Sequence, residues 1–183
     1  MILRLYRKIL AYVLVRKDPV SYARSLGVKI GQRVKLISIR PGSGTFGSEP
    51  YLVELGDDVT VTGDVQFVTH DGGVWVFNSK ENEMGDPKNI DVFGRIRVGN
   101  NVFIGYGSII LPNVDIGDNC IIAAGSVVTG NVSSDSVVGG VPAKFIKSID
   151  DYAKSIEHRR VMVRTLSPEM KRAKLEEMFQ NDS

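Results

Sequence analysis

Two histidines and one cysteine bound the proton, thiol and soft-metal chemistry open to this 183-residue sequence. Cys120 stands alone, so no internal disulfide can form, and with only His70 and His158 beside it a Cys/His zinc framework is excluded. His158 lies in a charged stretch and reads as a residue of a surface helix. His70 is different. It sits in Val68-Thr69-His70-Asp71-Gly72-Gly73, where a repeating pattern breaks and a long loop leaves. A lone loop histidine is otherwise read as a solvated or structural side chain, but an imidazole exchanges a proton between pH 5 and 8 without help, and the break in phase makes this position a candidate for proton transfer. Asp71, next to it, falls where the repeat calls for a small inward residue, which distorts the chain at a point that packing would not choose.

The pattern that breaks there has a period of six. Ile104, Ile110, Ile116, Ile122 and Val128 follow one another without a gap. Four positions after each come Ser108, Val114, Cys120, Ser126 and Val132, and directly after each come Gly105, Leu111, Gly117, Ala123 and Thr129. The register recurs upstream at Ile30-Gly31 with Val34 and Leu36, at Leu55-Gly56 with Val59, and at Val61, Val65 and Phe67. Neither a helical nor a simple strand period gives this spacing, whereas short strands that turn a corner every six residues do. The expectation is an all-β solenoid, a parallel β-helix in which each hexapeptide turns one aliphatic and one small residue inward. Glycine after the aliphatic is expected to supply the dihedrals of the corner. A β-sandwich of short strands is the alternative, but sandwiches keep no strict period.

The flanks are helical. Ile2, Tyr6, Ile9 and Val13 share a stripe with Leu3, Leu10 and Leu14, and Asp18-Pro19 ends it; from Asp150 to Phe179 the chain is rich in Lys, Arg, Glu and Met, with a fresh start at Ser167-Pro168-Glu169. This divides the chain into an N-terminal helical segment, 1–22, a β-helix over 23–147 and a C-terminal helical segment, 148–183, whose helices should cap or buttress the coil. Two stretches inside the solenoid leave the register, near 40–52 and 72–94. The first is turn-rich and should expose Glu49, Phe46 and Tyr51. The second is longer than ordinary connections, and Trp75, Phe77 and Phe93 argue against its being disordered.

Composition removes other classes. With 43% hydrophobic and 24% charged residues the chain is neither disordered nor collagen-like, and 23 Lys+Arg against 21 Asp+Glu leave +2, which gives no polyelectrolyte character for nucleic acid. The longest apolar run, 9–15, is far short of the roughly 20 residues that span a bilayer. No signal-peptide cleavage pattern follows it, so the expected location is cytoplasmic. The helix at 2–17 carries five cations and no carboxylate. It could rest on an anionic membrane surface as a peripheral contact, or simply pack against the solenoid.

These residues resemble the hexapeptide-repeat acyltransferases, the left-handed β-helix enzymes that include galactoside, maltose and polysaccharide O-acetyltransferases. The likeness rests on the repeats from Ile104-Gly105 to Val132, on Val102-Phe103-Ile104-Gly105, on Ile122-Ala123-Ala124-Gly125-Ser126-Val127-Val128, and on Gly139-Gly140-Val141-Pro142-Ala143-Lys144. Phe46-Gly47-Ser48-Glu49-Pro50-Tyr51 is similar to the sugar and capsule branch. The resemblance implies a left-handed coil, a homotrimer with sites between neighbouring solenoids, acetyl-CoA as co-substrate, and direct transfer to a saccharide hydroxyl with no metal. It makes His70 the general base and the backbone N–H of Tyr106 the oxyanion donor. It puts Phe103, Gly105 and Ala124 along the pantetheine, and Thr129, Lys144 and Lys147 near the 3′-phosphate. Gly130 stands where a lysine is common. The carboxylate that orients His70 would be Asp71 or Glu49. Glu49 is equally a candidate, with Trp75, for contacting the acceptor. N-acetylation of an amino sugar and a non-catalytic β-helix scaffold are the competing readings. The metal solenoids of the gamma-class carbonic anhydrases need three histidines, and this chain has two.

Overall fold

The computed structural model describes residues 12–39, 42, 44–79 and 90–180. Most of the N-terminal helical stripe lies outside these; of it, residues 12–17 are helical. A second helix, Pro19–Ser25, follows at once. Asp18 caps it by accepting from the backbone N–H of Ser21 at 2.9 Å, and proline at the first position has no N–H to leave unpaired.

Three parallel sheets follow. The first, side A, stacks Lys29–Ile30, Val53–Leu55, Ile96–Val98 and Asp115–Ile116. Side B stacks Lys35–Leu36, Thr60–Val61, Phe103–Ile104, Ile121–Ile122 and Ser136–Gly140, and side C stacks Gln66–Phe67, Ile109–Ile110 and Val127–Val128. Phe103 faces Ile121, Ile109 faces Val127 and Arg97 faces Asp115. Each pair is eighteen positions apart, so one coil takes three hexapeptides and visits A, B and C in turn. The coil closes on an antiparallel return strand, Ala143–Ser148, laid against Ser136–Gly140.

Inside the coil the repeat aliphatics and the small residues four positions on are buried together: Ile104, Ile110, Ile116, Ile122 and Val128 with Ser108, Val114, Cys120, Ser126 and Val132. Burial pushes the Cys120 thiol up from its ordinary pKa, because the thiolate would be desolvated. The corners correct one expectation. The residues with left-handed backbone are Asn101, Gly107, Asn113, Asn119 and Gly125, three positions before each aliphatic, and not the glycines that follow it. Those glycines answer a different need. A Cβ on Gly117 would stand 2.5 Å from Ser134 Oγ and 2.6 Å from its backbone nitrogen, so coils can stack at this distance only over a bare Cα.

Register also measures the two interruptions. Lys29 faces Glu54 across twenty-five positions and Glu54 faces Arg97 across forty-three, so the first adds seven residues to a coil and the second twenty-five. The first is less of an interruption than expected. Phe46 is buried and stacks on Phe67 with centroids 5.5 Å apart, and Phe67 N–H donates to Thr45 O, so residues 45–46 serve as the C side of the first coil. An aromatic ring fills the interior there as Phe67 does one coil on, and only Tyr51 of the two aromatics is exposed.

By its contacts the chain divides into two compact units, Met1–Asp151 and Tyr152–Ser183. The helix Ile149–Ser155 spans the division, with Ser148 Oγ accepting from Asp151 N–H, and the helix Pro168–Gln180 starts where Ser167 Oγ accepts from Met170 N–H. Among the described residues no helix is long and apolar enough to cross a membrane.

Candidate active site

At the end of the second coil the chain turns out of the solenoid. Thr69 is fully buried, and His70–Asp71 then pairs antiparallel with Val92–Phe93, so the second insertion leaves and returns as a two-stranded stem. Between them Gly72–Ser79 winds as a 3-10 helix that carries Trp75 back toward His70. The imidazole lies against the Phe93 ring at 4.7 Å and meets the Trp75 ring edge-on at 5.6 Å. Its Nε2 is 3.1 Å from Asp91 Oδ1, and Trp75 Nε1–H reaches the same oxygen at 3.4 Å. An ionised carboxylate can only accept, so Nε2 carries the proton and Nδ1 of the neutral ring keeps its lone pair.

The carboxylates proposed for His70 are engaged elsewhere. Asp71 Oδ1 accepts from Gly73 N–H at 2.8 Å, a turn that starts the insertion; neighbours on a strand point to opposite faces, so Asp71 is exposed while His70 turns to Asp91. Glu49 Oε2 accepts from Thr69 Oγ1 at 2.9 Å and from Ser48 Oγ at 2.6 Å, which fastens the first insertion to the residue before His70. Asp91 carried no mark in the sequence, and Phe93 was marked only as one of the aromatics that argue against disorder in the second insertion. The signal available was topological: a strand that leaves a coil needs a returning partner, and Asp91-Val92-Phe93 is the last segment before the register resumes at Ile96.

The remaining candidates lie at other corners. Gly105, Tyr106 and Ala124 occupy the B-to-C corner of consecutive coils; a Cβ on Gly105 would stand 2.5 Å from the Ala124 nitrogen, so this edge is bare backbone. Phe103 is on side B with its ring exposed. Tyr106 is exposed too, and its hydroxyl donates to the Asp64 carboxylate one coil up. Thr129, Gly130 and Lys144 line a polar cavity of about 580 Å³ at the last coil, together with Asn131, Ser133 and Phe145. Lys147, paired with Val137 on the return strand, is not on that lining. His70 sits at the C-to-A corner, so a single protomer does not carry it on the same edge as Gly105 and Ala124.

Residues 95–130 match the family model described as bacterial transferase hexapeptide (six repeats). The chain is 54% identical over 133 residues, 73% of each chain, to Protein CapG of Staphylococcus aureus. Among solved structures it resembles a maltose O-acetyltransferase from Clostridium difficile 630, with a TM-score of 0.50 and 22% identity over 80% of this chain and 88% of that one. It also resembles a hexapeptide-repeat-containing acetyltransferase from Vibrio cholerae O1 biovar eltor complexed with acetyl coenzyme A, with a TM-score of 0.52 and 18% identity over 78% and 85%. These two likenesses are of fold.

Proposed function

The chain belongs to the hexapeptide-repeat transferase family, and from that premise we propose that it is an O-acetyltransferase, moving acetyl from acetyl-CoA to a saccharide hydroxyl in polysaccharide biosynthesis. The observation that carries this reading is His70 Nε2 held by Asp91 between two aromatic rings, at the foot of the longer of the two insertions. A sugar hydroxyl attacks a thioester poorly because its own pKa is far above 7. The lone pair on Nδ1 can take that proton as attack proceeds, and Asp91 then stabilises the resulting imidazolium, which gives the proton to the CoA sulfur as the C–S bond breaks. The exposed face of Trp75 and the Glu49 side of the first insertion flank His70 and suit the apolar faces and hydroxyls of a sugar.

Acetyl-CoA supplies an activated acyl group. This chain's groups fit its parts: the bare edge at Gly105 and Ala124 for pantetheine amides beside the Phe103 ring, and Thr129 with Lys144 in the polar cavity for the 3′-phosphate, with Lys147 nearby on the return strand. The backbone N–H of Tyr106 is the donor for the oxygen on which charge develops. The Vibrio cholerae complex with acetyl coenzyme A supports the choice of co-substrate.

We take the coil as left-handed and the assembly as a trimer. Two features support assembly: His70 and the Gly105 edge lie on different corners, and sides B and C turn Phe103, Ile109, Ile121 and Val127 outward while side A presents Lys29, Glu54, Arg97 and Asp115.

The test is transfer of labelled acetyl from acetyl-CoA to a sugar panel. His70→Ala should lose about 10²- to 10⁴-fold in kcat, the contribution of a general base. Full activity in that variant would refute the mechanism, and an acceptor that needs its amine would make the enzyme an N-acetyltransferase.

A further inference from the structure

The Tyr106 side chain does not follow the edge on which its backbone lies. It climbs one coil toward the N-terminal end, where its ring rests on Gly63 and its hydroxyl donates to the Asp64 carboxylate. A Cβ on Gly63 would come within 3.0 Å of Tyr106 Cε2, so the ring is seated on bare backbone. The corner beneath it is tied from both sides, by Gly107 N–H to Gly63 O at 3.0 Å and by Gly125 N–H to Tyr106 O at 2.8 Å. Asp64 itself has left-handed backbone, with φ +58°, which turns its carboxylate back over the corner.

The consequence rests on the reading that the thioester oxygen sits at the Tyr106 N–H. Pantetheine then runs from Gly105 and Ala124 toward the last coil, where Lys144 lies. The sulfur leaves the trigonal carbonyl carbon in that direction, so the acyl chain leaves it toward the N-terminal coils, into the ring that Asp64 and Gly63 hold. We infer that the Tyr106–Asp64 pair is a specificity device, closing the acyl end of the site to groups longer than acetyl. A ring free to swing would leave this edge open along the solenoid, and an anchored one ends it.

Calorimetry with CoA, acetyl-CoA and butyryl-CoA tests this without knowing the acceptor. The wild-type protein should bind CoA and acetyl-CoA alike and butyryl-CoA about tenfold or more weakly, the scale of misfit expected for added methylenes. Asp64→Gly suits the left-handed backbone and removes the acceptor, and Tyr106→Phe removes the donor while keeping the backbone N–H. In both, the butyryl penalty should fall below about threefold, whereas Asp64→Asn, which keeps an acceptor oxygen, should retain most of it. The two variants break one contact from opposite ends, so misfolding of either leaves the other decisive. Equal binding of butyryl-CoA and acetyl-CoA to the wild type, or an undiminished penalty in the folded variants, overturns the inference. Absence of CoA binding altogether would instead remove the transferase reading on which it stands.

Discussion

Asp91 faces His70 Nε2 at 3.1 Å, and in the proposed mechanism this one contact decides which ring nitrogen serves as base. Asp91→Ala removes that acceptor, so nothing then holds the ring proton on Nε2 or offsets the charge of an imidazolium. Transfer should fall toward the level of His70→Ala, up to about 10²- to 10⁴-fold, with acetyl-CoA binding unchanged. Because Asp91 acts through His70, the double variant should be no slower than His70→Ala alone. Steady-state kinetics on the four proteins decide it, and additive losses would give Asp91 a separate task.

At the level of the coil, two kinds of residue keep the hexapeptides stacked, and they respond to substitution in opposite ways. Asn113 has φ +62°, and Asn113→Gly relieves a backbone that glycine adopts freely, so stability should stay within about 0.5 kcal/mol. Gly117 has no such backbone, but Gly117→Ala drives a methyl into Ser134 and should cost about 1–3 kcal/mol. Urea midpoints at one protein concentration separate these outcomes; equal losses would mean that corner dihedrals, rather than coil spacing, set the tolerance. The stem of the second insertion follows a related rule. Among the described residues His70–Asp71 and Val92–Phe93 pair only with each other, so the site is held by one short ladder, by Gly94 N–H donating to Thr69 O at 2.9 Å and by the Thr69 hydroxyl on Glu49.

For the molecule as a whole, His70 and the Gly105 and Ala124 edge lie on different corners, so the proposed transfer site would be shared with a second copy of the chain. His70→Ala and Ala124→Trp should each be inactive alone, the first lacking its base and the second blocking the pantetheine edge. Co-expressed, they should regain a fraction of wild-type transfer, since an interface can draw an intact His70 from one protomer and an intact Ala124 from its partner. Sedimentation of the mixed assembly with an activity assay checks this, and inactive mixed trimers would put both residues' roles within one protomer.

The period of six, the inward aliphatics and the two places where the coil is left were all readable along the chain, because each hexapeptide buries the same two positions and any departure shows at once. His70 stood out for the same reason. Its partner did not, since Asp91 is brought to it across twenty-one positions by an antiparallel return that no period announces. Phe46 could not be recognised as a coil residue, because its place depends on stacking with Phe67 after a seven-residue insertion. Asp64 and Tyr106 meet through an offset of forty-two positions that the second insertion sets. The repeat thus determined the fold from local burial alone, while the partners of the chemistry were decided by how far each insertion shifts one coil against the next.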